Sequence, residues 1–231
     1  MATISAPPGP TVSAHSAEHE VNGARRPGTT PEVEKAPAKV TTLGWGNSAP
    51  LALLAFGVPT FMLSMINAKA VAAGVTPVVF GVALMCGGIT AMIAGIIQLR
   101  TGNTFSGVLF CGFGSFWLSL FAIAQWFLKS VPPLQVGQAL GLFLYAFGIF
   151  LVVMLAASLR TNIVVVATLA LITVAVFLLG AGHYGAHTTL IHWGGYVGLA
   201  ATACIFYMAL AELCEISYGR SVLPVWPLAE H

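Results

Sequence analysis

Between Glu34 and Glu212 the chain carries no acidic residue, and it contains no aspartate anywhere. A soluble domain devotes about a quarter of its residues to charge. Here 7% are charged, 58% are hydrophobic and the mean hydropathy is +0.90. Hydrocarbon is therefore the expected solvent for most of this surface. From Pro50 onward the chain divides into six apolar runs, over 50–68, 75–97, 104–128, 136–158, 163–181 and 192–214. A bilayer core of ~30 Å is crossed by ~20 helical residues, and a helix satisfies its own backbone in lipid. The expected fold is an all-α integral membrane protein of six transmembrane helices.

An even number of spans returns the chain to its starting side. With both termini in the cytoplasm, Lys39, Arg100, Arg160, Arg220 and Lys35 lie inside, joined by Arg25 and Arg26, and only Lys69 and Lys129 fall outside. The positive-inside rule favours that orientation. Trp45, Trp126, Trp193 and Trp226 fall near span ends, where amphipathic rings prefer to sit. Residues 1–44 are rich in Pro, Ala, Thr, Ser and Glu. They have too little apolar surface to offset their ordering entropy and read as a disordered cytoplasmic tail, or as a regulatory, partner-binding one. No apolar core of signal-peptide type stands near the start, so cleavage is not expected. A six-helix transmembrane domain follows over 45–218, and a short cytoplasmic tail over 219–231.

A net charge of +2 gives no basis for a nucleic-acid partner. Cys86, Cys111, Cys204 and Cys214 lie in apolar stretches without metal spacing and read as small buried hydrophobes. His183 and His187 stand four apart, but the flanking Gly182 and Gly185 predict a loop, with no cysteine or acid nearby to complete a metal site. No metal or cofactor is expected.

Small residues recur at four-residue spacing, as Gly137 with Gly141, Ser115 with Ser119 and Gly194 with Gly198. In lipid this lets helix backbones approach closely, within one bundle or between subunits; a glycine-lined path is the other reading. The odd-numbered spans begin alike, at Asn47-Ser48-Ala49-Pro50, Gly102-Asn103-Thr104 and Thr161-Asn162-Ile163, with Arg100 and Arg160 just upstream of the second and third. Asn is a good N-cap and Pro50 suits a first turn. The three positive helix ends and two arginines read either as ordinary caps or as a cytoplasmic vestibule favouring small anions. Glu212 is the one charged residue well inside a span, with a structural or a proton-coupling role.

Specific runs go further. Gly87-Gly88, Ala94-Gly95-Ile96, Gly102-Asn103-Thr104-Phe105, Gly114 and Phe116-Trp117-Leu118 resemble the signature of the acetate uptake transporter family, the succinate–acetate permeases. That family reads N-P-A-P-L-G-L near its first helix, matched here by Asn47-Ser48-Ala49-Pro50-Leu51-Ala52-Leu53 and then Phe56-Gly57. Leu159-Arg160-Thr161-Asn162, Gly194-Gly195-Tyr196-Val197-Gly198, Ala211-Glu212 and Gly219-Arg220-Ser221-Val222-Leu223-Pro224 follow in order, so the resemblance spans roughly 45–226. It implies a six-helix protomer, assembled as a hexamer in the cell membrane. Each protomer would conduct acetate and other small monocarboxylates, sometimes succinate, by proton symport or in a channel-like way. It also implies an apolar constriction, which the motifs carry onto Phe56, Phe113 and Ile172. A hydrophobic ring resists hydrated ions. The chain departs from the family's pattern at Ser48 and Ala52 in the first motif, at Ala91 (commonly Gln), at Gln98 (commonly an acid) and at Phe113 (often Tyr).

The expected function is thus transport of small carboxylate anions, with protons as the coupled partner. The alternatives are a passive pore for anions or for a small neutral solute such as ammonia, and a membrane sensor or scaffold acting through the tail. No nucleophile, base and acid converge in the sequence, so no enzyme is expected.

Overall fold

The computed structural model describes residues 44–228; apart from Gly44, the expected tail over 1–44 lies outside the described residues. Among the described residues, six helices are long and apolar enough to cross a membrane: α1 Ala49–Asn67, α2 Ala73–Arg100, α3 Thr104–Ser130, α4 Pro133–Ser158, α5 Ile163–Tyr184 and α6 Thr188–Tyr218. At 1.5 Å per residue the longer ones reach about 40 Å, beyond the hydrocarbon core and into the headgroups.

The helices exceed several expected runs. Within α2 and α3 the helix widens into π-helical turns, at Ala83–Thr90 and Ile123–Phe127. The first contains Gly87 and Gly88, and their bare backbone receives Trp117 and Leu118 from α3. α5 continues through His183, contrary to the expected loop, because Gly182 packs against Ile191 of α6 and lets the chain stay helical until Tyr184. Two turns need left-handed glycine. Gly102 has φ +86° between α2 and α3, and Gly219 has φ +66° at the end of α6, where its N–H reaches the Glu215 carbonyl at 2.9 Å.

The bundle is an arc, in the order α3, α2, α1, α6, α5, α4. Small residues set its tight joints. A side chain at Gly141 would meet the Gly180 carbonyl between α4 and α5, one at Gly194 would meet Leu179 and the Ala175 carbonyl, and one at Gly195 would meet the backbone of Asn67 and Ala68. Packing within the bundle thus involves both recurring glycine pairs. Ala52, Leu53, Leu169, Ile205 and Ala209 form a close-packed core. The arc's two ends, α3 and α4, are consecutive in sequence yet approach each other little along their backbones.

The starts of α1, α3 and α5 share one face of the bundle with the ends of α2, α4 and α6. Asn47 reaches Glu212 of α6 (3.3 Å), and Gln98 of α2 reaches Asn47 (2.9 Å). Beyond α6 the chain returns across this face. Ile163 N–H bonds to the Trp226 carbonyl (3.0 Å), Leu228 N–H to Thr161 (2.9 Å) and the Tyr207 hydroxyl to Pro224 (2.8 Å). Trp45, Trp126, Trp193 and Trp226 are each more than half exposed at helix ends, whereas Trp117 is buried.

Candidate functional site

Phe56 stands seven residues into α1, and Phe113 and Ile172 nine residues beyond the starts of α3 and α5. These helices begin on one face, so the three side chains reach a common depth of about 10–14 Å. They meet there. The Phe56 and Phe113 rings stack with centroids 4.4 Å apart and planes 6° from parallel. The three residues are 2%, 7% and 6% exposed.

All three border a cavity of about 350 Å³ that runs from them toward the opposite face, past Leu63, Asn67, Thr76, Leu128 and His183. Its walls differ in chemistry. On α1, Thr60, Ser64 and Asn67 stand at i, i+4 and i+7, and so share one side of the helix. Gly198 of α6 lies against this strip, where a side chain would collide with the Ser64 hydroxyl, and Gly194 lines the cavity beside it. Apart from Thr76 and His183 toward the far end, the remaining lining is aromatic and aliphatic. Sequence reasoning missed the polar strip on α1. Its signal was present as three small polar residues at helical spacing, but no motif marked them.

On the other side of the stacked rings the chain is filled. Ser48 and Gln98 are buried there, and the Gln98 amide donates to Ser48 Oγ (3.2 Å) and Asn47 Oδ1 (2.9 Å). Ser48 Oγ donates in turn to the Ala94 carbonyl (2.9 Å). Two of the departures from the family's pattern, Ser48 and Gln98, thus touch each other. Asn47 also accepts from the Ala49 N–H (3.0 Å) and donates to Glu212. It does not cap α1 as expected. Ser48 occupies the cap position in a helical conformation, and its hydroxyl is spent on Ala94.

Asn103 and Asn162 do cap α3 and α5, accepting from Ser106 (3.2 Å) and Val165 (2.9 Å). Their side-chain oxygens are thereby turned to their own helices. Asn47, Asn103, Thr104, Arg100 and Arg160 are exposed and Asn162 is half-buried, all near the same face. None of them lines the cavity, which ends on the stacked rings before reaching them. His183 reaches the cavity's far end, with no cluster of three metal-ligating side chains among the described residues.

The sequence profile of the GPR1/FUN34/yaaH family matches residues 28–230. The succinate-acetate/proton symporter SatP of Escherichia coli K12 is 32% identical over 179 residues, covering 78% of this chain and 94% of its own. Ammonia transport outward protein 2 of Saccharomyces cerevisiae is 34% identical over 199 residues, 84% of this chain and 69% of its own. The structure of the bacterial acetate channel SatP superposes with a TM-score of 0.73 at 31% identity, covering 78% of this chain and 99% of that one. Profile, relatives and fold agree with the motif order: the chain is a multi-pass membrane protein and belongs to the GPR1/FUN34/yaaH family.

Proposed function

We propose that this protein carries acetate and other small monocarboxylates across the cell membrane, together with a proton. The observation behind this reading is the dead-ended cavity, polar along α1 and stopped by the stacked Phe56 and Phe113 rings with Ile172 beside them. A bare carboxylate in such a ring loses its hydration, at an idealised cost on the order of 20 kcal/mol. Protonating a carboxyl of pKa near 4 at pH 7 costs only about 4 kcal/mol. The neutral acid is the cheaper passenger, so proton linkage follows from the substrate's own carboxyl and needs no dedicated acid in the ring. Phe113, lacking a hydroxyl, offers no polar atom that would favour the anion instead.

In this reading Phe56, Phe113 and Ile172 are the constriction, and opening requires the two rings to separate. The face bearing Asn47, Asn103, Asn162, Arg100 and Arg160 is the cytoplasmic one, where basic side chains and helix starts draw anions. Glu212, held by Asn47, is a candidate proton acceptor at that face. A homo-hexamer in the cell membrane is the proposed assembly. The same apolar ring supports a second reading, passage of a small neutral solute such as ammonia, which one relative's name describes.

Labelled acetate uptake into proteoliposomes, with a pH gradient and a voltage imposed separately, tests both. Uptake driven by the pH gradient above empty liposomes supports the acid carrier. Flux that follows voltage alone refutes it, and ammonia flux without acetate flux selects the second reading.

A further inference from the structure

We propose that the seam between α3 and α4 is a lateral portal from the bilayer into the cavity, admitting protonated monocarboxylic acids dissolved in the lipid. The inference rests on the cavity being the transport path. The α2–α3, α1–α6, α5–α6 and α4–α5 joints each set a glycine against a neighbour's backbone, and the α1–α2 joint sets Gly87 on Pro59, so parting them would move whole helices. The α3–α4 seam is closed by rings instead. Phe116 meets Phe143 at 5.3 Å and Phe147 at 5.1 Å, Phe147 meets Phe143 at 5.1 Å and Phe150 at 6.4 Å. All four line the cavity and all four are only half-buried, the exposure expected of rings that form a wall between cavity and bilayer. Side-chain rotations alone can open such a joint, on a far shorter timescale than helix movement.

Two further observations agree. The π-helical turn Ile123–Phe127 lies in α3 beside this seam, and Ala124 within it and Leu128 just after it line the cavity; such turns frequently mark functional sites. The cavity is also two-faced, with hydroxyls and an amide on α1 and phenyl rings at the seam. That is the shape of a carboxyl head with an alkyl tail. Partitioning would favour longer acids, since each added methylene enriches a solute in hydrocarbon about fourfold.

The test replaces the four native cysteines with alanine and introduces Val176→Cys in the cavity wall on α5, in protein held in lipid nanodiscs. Two thiol reagents are compared, butyl methanethiosulfonate, which dissolves in lipid, and its charged sulfonatoethyl counterpart, which does not. Phe147 meets Phe116 across the seam and Phe143 and Phe150 along α4, and losing the cross-seam contact in Phe147→Ala should speed the butyl reagent by about three- to tenfold. The charged reagent's rate should stay the same. An unchanged butyl rate, or an equal rise with both reagents, overturns the portal. Phe143→Leu, a milder change at the same joint, serves if Phe147→Ala does not fold. Acetate uptake by the same proteins separates the two readings. Acetate flux with no seam effect removes the portal alone, whereas a seam effect without acetate flux removes the transport reading.

Discussion

Replacing Phe113 with alanine should convert a path for neutral acid into one that passes anions. The side chain forms half of the stacked pair at the cavity's end and is 7% exposed. Its removal joins the space of a phenyl ring to a cavity of about 350 Å³ and leaves Phe56 without its 4.4 Å partner. In the proposed reading, flux with the ring intact follows the neutral acid and falls about tenfold for each pH unit above the acid's pKa. At pH 7 a carboxyl of pKa near 4 is anionic in about a thousandfold excess. If a widened path admits even a small part of that pool with its water, flux loses its pH dependence and becomes electrogenic. Larger carboxylates should enter as well. The assay is uptake at fixed voltage from pH 5 to pH 8, with current recorded across a planar bilayer. Stability should fall by about 3 kcal/mol, the low end for Phe→Ala, because the site already borders a void. A folded variant that keeps the tenfold-per-unit slope, carries no current and still excludes larger acids would refute the role given to Phe113.

Other expectations are more local. Gly195→Val places a side chain against the Asn67–Ala68 backbone, where no flexible neighbour can yield. It should cost at least about 2 kcal/mol of stability in detergent melts. Gln98→Leu leaves the Asn47 and Ser48 oxygens without the amide that serves both, and should cost about 1–3 kcal/mol by thermal denaturation. Asn162→Ala and Asn103→Ala each remove a cap bond and should each cost about 1 kcal/mol. If the anion-drawing face matters, their acetate flux per folded molecule also falls at low ionic strength. Unchanged flux would reduce these residues to caps.

The spans were legible in the sequence because the bilayer is a simple solvent. Its thickness sets the helix length and its lack of water excludes unpaired charge, so composition over about 20 residues suffices. The caps at Asn103 and Asn162 were legible too, since a cap bonds within three residues of itself. Phe56, Phe113 and Ile172 were named only through motif resemblance; nothing within any one helix marks them out. Their meeting depends on where three separate helices start and how they pack. Longer-range features were not legible at all. His183 remained helical because Gly182 fits against Ile191, a contact between α5 and α6. Asn47, besides accepting from the Ala49 N–H, reaches Gln98 and Glu212 because α2 and α6 end beside it. The phenylalanine seam arose because α3 and α4, adjacent in the chain, became opposite ends of an arc. Local sequence dictates a helix and its depth in the bilayer, whereas the order of helices around a cavity is decided by which small-residue faces fit, and that is a property of the whole bundle.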